Sequence, residues 1–284
     1  MPISREAFDT DAAAIQRRAR ARSSTSAKLA ALWRVETLAA SLARGLLRQP
    51  GIRAGSFPDA LGPIAHMGLA IAAVERCGFD AVKVRATLTA LCEPRWIGFA
   101  YESVGTMLAL YERDRFYRAV RALGRVRIVP LVPLERPDVE RFAASFDPES
   151  VRLLSHGYGR FTYFKSPNAP AAIRAARKRP SLDAVAWTQG VAFAHAYVNS
   201  RDLPAILDSR CDGADEPALA VRRGQAYALT LLEWFAPGFL DGIPADSRAA
   251  AIAIGVARSE ITISRARGFL KPFTMSADMV EGSE

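Results

Sequence analysis

His156-Gly157-Tyr158-Gly159-Arg160-Phe161 opens an apolar stretch, and the same arrangement returns in Gln189-Gly190-Val191-Ala192-Phe193, Arg223-Gly224-Gln225-Ala226-Tyr227 and Ile254-Gly255-Val256-Ala257-Arg258. The leading glycines lie 33, 34 and 31 residues apart. That interval is what a helix–turn–helix unit occupies. Turn signals fall between the stretches: Arg179-Pro180-Ser181, Asp212-Gly213-Ala214-Asp215-Glu216-Pro217 and Asp241-Gly242-Ile243-Pro244. The pattern predicts an all-α chain whose C-terminal half, 134–270, stacks TPR-like helical hairpins of about 33 residues. A glycine inside a helix costs about 1 kcal/mol relative to alanine, so these four mark places where a neighbouring helix comes close.

Working outward from the repeats, the N-terminal half, 26–125, reads as a helical bundle. From Ala27 the residues Leu29, Leu32, Val35, Leu38, Leu42 and Leu46 recur at threes and fours, one face of an amphipathic helix that ends near Gln49-Pro50-Gly51. Helices are predicted over 63–77, with Gly78 as the stop, over 81–91, capped by Asp80, and over 97–112, which is apolar nearly all round and so buried. Val126 to Pro133 is β-branched and proline-punctuated, an extended crossing between the halves. Residues 1–25 form a polar, arginine-rich arm in which Ala12 to Arg22 can be helical and whose order the sequence leaves open, and 271–284 a tail.

The 284 residues, half of them hydrophobic, suffice for a large core without disulfides or metals. Three scattered cysteines, Cys77, Cys92 and Cys211, have neither disulfide-framework nor zinc-ligand spacing, which suits a reducing cytoplasm. The opening residues lack the apolar core of a secretory signal, and the longest apolar run, Leu61 to Val74, contains His66 and is too short for a bilayer, where roughly 20 residues are needed. A soluble, cytoplasmic protein is expected. The net charge of +9 comes from arginines spread along the chain, with one cluster at Arg17, Arg18, Arg20 and Arg22 and no aromatic-plus-basic motif, which argues against nucleic acid as a partner.

Trp96-Ile97-Gly98-Phe99-Ala100-Tyr101-Glu102-Ser103-Val104-Gly105, then Ser155-His156-Gly157-Tyr158-Gly159, then Gln189-Gly190, resemble an uncharacterised bacterial family. Its members occur near gene clusters for enediynes and other polyketides or terpenoids. They show Gly-Phe-x-Tyr-Glu-Gly, Asp-Gly-Tyr-Gly and Asp-Gln-Gly blocks in this order. The resemblance, over about 77–269, implies a place in natural-product biosynthesis but no particular reaction. The chain departs from the pattern at Ser103, His156 and Thr188, so two acidic positions are replaced.

Two residues stand out as candidates for proton transfer. Glu102 is a carboxylate on an apolar helix, where desolvation raises a pKa, and also a residue suited to satisfying a first helical turn. His156 is predicted at a loop-to-helix junction, where it either titrates or caps the turn. Tyr101, Tyr158, Phe161, Phe193 and Tyr227 are candidate linings for an apolar ligand, and Gln189, Gln225 and Glu260 candidate polar contacts on one concave surface. His66 is expected to be a hydrogen-bonded core histidine, and His195 to face away from Gln189. No nucleophile elbow, phosphate loop, HExxH or DDxxD motif is present, so no cofactor or metal is called for. Two readings stay open: a natural-product protein that binds an apolar polyketide- or terpenoid-like ligand and transforms it by cofactor-independent acid/base chemistry, and a helical scaffold whose partner is another protein. Either is compatible with a homo-oligomer.

Overall fold

A computed structural model describes residues 4–20, 25–48, 57, 59–112, 134–165, 167–199, 202–208, 216–235 and 237–272. The helices in chain order are α1 (Arg5–Arg20), α2 (Thr25–Leu46), α3 (Gly62–Cys77), α4 (Ala81–Leu91), α5 (Ile97–Tyr111), α6 (Val139–Ala143), α7 (Pro148–Lys165), α8 (Ala169–Arg174), α9 (Ala184–Val198), α10 (Leu203–Asp208), α11 (Glu216–Phe235) and α12 (Arg248–Arg267). The chain is all-α, with no strand among the described residues. Helix ends follow local chemistry: Asp80 Oδ1 accepts from Lys83 N at 3.1 Å to start α4, Gly78 ends α3 at φ 62°, and Asp183 and Ser247 cap α9 and α12. The expected segment 126–133 and most of the tail lie outside the described residues.

The long helices pack in series, α2 on α3, α3 on α5, α5 on α7, α7 on α9, α9 on α11 and α11 on α12, with α1 against α2. Shorter helices return the chain between them. Neighbours in the middle of the series run the same way: Ser155 lies by Asp183 and Tyr163 by Asn199 on α7 and α9, and Gln189 by Gly224 and Phe193 by Tyr227 on α9 and α11. The series also curls back on itself, since Trp96 at the start of α5 meets Trp234 near the end of α11 with ring centroids 6.3 Å apart. The Glu102 face of α5 therefore meets α7 and, through Tyr227, α11.

Glycine sets how tightly these helices cross. A Cβ on Gly157 would lie 1.7 Å from the backbone oxygen of Glu102, and one on Gly224 2.2 Å from that of Gln189. The expectation of close helix approach therefore holds for Gly157, Gly190 and Gly224. It fails for Gly255, which is exposed on α12 with nothing within 4 Å of a Cβ. Two further expectations are corrected. The glycines lie in helix interiors instead of opening helices, because the polar residues beside them face other helices and cap nothing. The units are also not hairpins of equal helices: α8 and α10 have six residues each.

The N-terminal arm, left open by the sequence, contains a helix that begins earlier than Ala12. Residues 5–20 are helical and Phe8 is fully buried, edge-on to Phe57 at 5.3 Å, with Arg5 4.2 Å above the Phe57 ring. Burying such a ring contributes about 2 kcal/mol, enough to anchor an otherwise polar helix.

Candidate functional site

Glu102 lies inside α5, beyond its first turn, with 0% exposure, so neither a capping role nor a position at the helix start applies. Three side chains from two other helices converge on its carboxylate. His156 Nδ1 is 3.2 Å from Oε1, Arg160 Nη1 donates to Oε2 at 3.2 Å, and the Tyr227 hydroxyl donates to Oε1 over 3.4 Å. His156 is also fully buried, in mid-α7 and not at a loop-to-helix junction. The ring of Phe193 completes the cluster, 5.4 Å from His156, 5.1 Å from Tyr227 and 4.7 Å beneath the Arg160 guanidinium.

Helical spacing explains the convergence. His156 and Arg160 on α7, Gln189 and Phe193 on α9, and Arg223 and Tyr227 on α11 are each four residues apart and so share a face. The ring contacts turn those faces toward one another and toward Glu102.

The electrostatics follow from burial. Desolvation holds the His156 imidazole below its usual pKa, against the pull of Glu102, while Arg160 adds to the lowering. Nδ1 is the ring nitrogen nearer the Glu102 carboxylate, and the neutral ring keeps a lone pair on one nitrogen. Desolvation, and next the Glu102 charge, push the Tyr227 phenol well above its ordinary range, so it stays a hydrogen-bond donor. A carboxylate and a neutral imidazole beside a protonated phenol and a guanidinium are a set able to accept a proton and stabilise the resulting anion.

Not every polar atom here is satisfied within the fold. Gln189 Oε1, Arg160 Nε and Arg223 Nε are buried and have no hydrogen-bond partner among the described residues. Each such group destabilises a fold by about 1–3 kcal/mol.

The other candidates are distributed elsewhere. Tyr101 faces away from Glu102 and packs edge-on to Phe146 at 5.8 Å. Tyr158 packs at a tilt against Trp187, with ring centroids 4.7 Å apart, and donates to Glu112. Phe161 lies beside Phe164, under Lys165. These three do not line the space around Glu102, because each points from its helix toward a different neighbour. Gln225 is buried and donates to Ile206 O at 3.1 Å, holding α10 to α11, and Glu260 is buried and accepts from Ser264 at 3.1 Å. Gln189, Gln225 and Glu260 are thus interior residues and do not form an open concave surface. His66 is the expected core histidine: its Nδ1 donates to Gly62 O at 2.7 Å, its Nε2 accepts from Glu93 N at 3.0 Å, and burial lowers its pKa to about 4. His195 packs on Tyr163 at 5.3 Å, away from the cluster. Arg160 and Arg223 are not singled out by sequence motifs; their spacing of four from His156 and Tyr227 is the signal that points to them.

No three His, Cys, Asp or Glu side chains among the described residues are grouped to hold a metal ion, and no described helix is long and apolar enough to cross a membrane. Compared with protein-family models, curated proteins and solved structures, the chain matches none.

Proposed function

We propose that this protein binds an apolar natural-product-like molecule and carries out proton transfer on it without a cofactor, at the centre of the helix series. Glu102 is the positioning group, His156 the base and Arg160 the cation that meets developing negative charge. In that step a proton passes from the ligand to His156 Nε2 and the bonding electron pair stays on the ligand as an oxyanion. Tyr227 and Phe193 provide the apolar wall and a phenol donor. Of the five aromatic candidates, only these two serve this site.

The observation that carries the reading is a fully buried carboxylate–imidazole pair with the unpartnered Arg160 Nε beside it and unpartnered buried atoms on Gln189 and Arg223, which share helix faces with Phe193 and Tyr227. A core that served only stability would be better off without them, since apolar residues of similar volume avoid the desolvation penalty. The order of the Tyr-Glu, Gly-Tyr-Gly and Gln-Gly blocks, which resembles the natural-product family, supports the ligand class.

The test is native mass spectrometry of the protein purified from its producing host, with extraction of small molecules that co-purify, on the wild type and on Gln189→Leu. The expected result is an apolar metabolite on the wild type that is lost from the variant. A wild type that carries a second polypeptide and no small molecule contradicts the reading and favours a scaffold role.

A further inference from the structure

A cleft of about 590 Å³ opens between the start of α5, the first turns of α7 and the segment after α12. It is separate from the Glu102 cluster, since α5 turns Ile97, Gly98 and Tyr101 toward the cleft and Glu102 inward. The volume suits a small molecule. One wall is apolar, made by Ile97, Leu153, Phe269 and Pro272. Gly98 keeps that wall shallow: a Cβ there would lie 2.5 Å from Pro272 Cγ.

The fold accounts for most of the charges around the opening. Arg95 is taken by Asp59 at 2.8 Å and Glu93 at 3.0 Å. Asp147 accepts from Ser150 N at 2.9 Å and from the Ser150 hydroxyl at 2.7 Å, which holds its carboxyl below the usual range. Glu149 sits in the first turn of α7, where a carboxylate complements the helix dipole. Arg152 has no such account. It is exposed, lines the cleft and pairs with no group among the described residues.

We infer that this cleft is a second binding site, for a molecule with an apolar ring body and a single negative charge, the body against Ile97, Leu153 and Phe269 and the anion on Arg152. Lys271, on the facing segment, adds positive potential. This inference does not depend on chemistry at Glu102.

The test titrates the full chain with 8-anilinonaphthalene-1-sulfonate and with N-phenyl-1-naphthylamine, the same aromatic body without the charge, by fluorescence. In Arg152→Gln the sulfonate is expected to bind about three- to tenfold more weakly, the scale of one exposed charge-assisted contact, while the neutral amine is unaffected. Arg152→Lys is expected to recover most of the loss, and Leu153→Trp, which fills the cleft, to weaken both probes. Circular dichroism shows that each variant is folded; Arg152 is exposed, so its two variants keep the comparison decisive even where Leu153→Trp does not fold. Sulfonate binding unchanged in Arg152→Gln, or lost equally with the neutral amine, overturns the inference.

Discussion

At the centre of the helix series the Glu102 carboxylate is sealed from solvent and held by His156, Arg160 and Tyr227, whereas in the cleft at the start of α5 and α7 Arg152 lies open and pairs with no group among the described residues. The first charge is embedded where helix backbones touch, so replacing it disturbs the packing of the fold as well. The second sits on a helix surface that tolerates exchange. The contrast teaches that a polar residue's exposure decides which measurement reads its role: stability responds at the centre, and only binding responds in the cleft.

Gly157→Ala is expected to have the largest effect on stability. A methyl group 1.7 Å from Glu102 O cannot be absorbed by a side-chain movement, so α5 and α7 must separate, at an expected loss of about 4 kcal/mol in urea unfolding. Arg152→Gln, by the same measurement, is expected to stay within about 0.5 kcal/mol of the wild type. Similar losses in both would mean that the two regions are not built differently.

Acid is expected to have the next largest effect. His66, His156 and His195 all have pKa values lowered by burial, so the unfolded chain binds protons that the folded chain refuses. Stability is therefore full above about pH 6.5 and falls as the pH drops toward 4, with His66 alone accounting for about 3 kcal/mol across that window. Unfolding midpoints measured between pH 7 and 4 check this, and a flat profile contradicts the neutral, buried state assigned to the histidines. The smallest effect belongs to Gly255→Ala. This glycine faces open space in a helix interior, so the variant is expected to gain about 0.5–1 kcal/mol, opposite in sign to Gly157→Ala.

These contrasts also show how much of the molecule is legible in the sequence. Helices α3, α4 and α5 are predicted within a residue at each end, because Asp80, Gly78 and the Glu93-Pro94 break are local signals. The demand for close approach at Gly157, Gly190 and Gly224 is legible for a related reason: a glycine lowers the stability of an apolar helix unless a neighbouring backbone needs the space. Their mid-helix positions are not legible, since His156 and Gln189 beside a glycine look like caps until the facing helix is known. Phe8 is hidden by its polar neighbours, and its partner, Phe57, lies beyond the next helix. Glu102 and His156 stand out singly, yet their pairing depends on how α5 crosses α7, which no spacing within either helix encodes. The cleft is not legible at all, because Arg152, Ile97 and Phe269 come from three distant segments.

Equilibrium urea unfolding of Gln189→Leu tests the central claim most directly, that the unpartnered polar groups in the core serve a ligand and not the fold. Replacing a buried acceptor that has no partner with an apolar side chain is expected to leave stability unchanged or raise it by about 1–2 kcal/mol. A loss of more than about 1 kcal/mol, the scale of a hydrogen bond removed, would show that Gln189 holds the helices together and would contradict that claim.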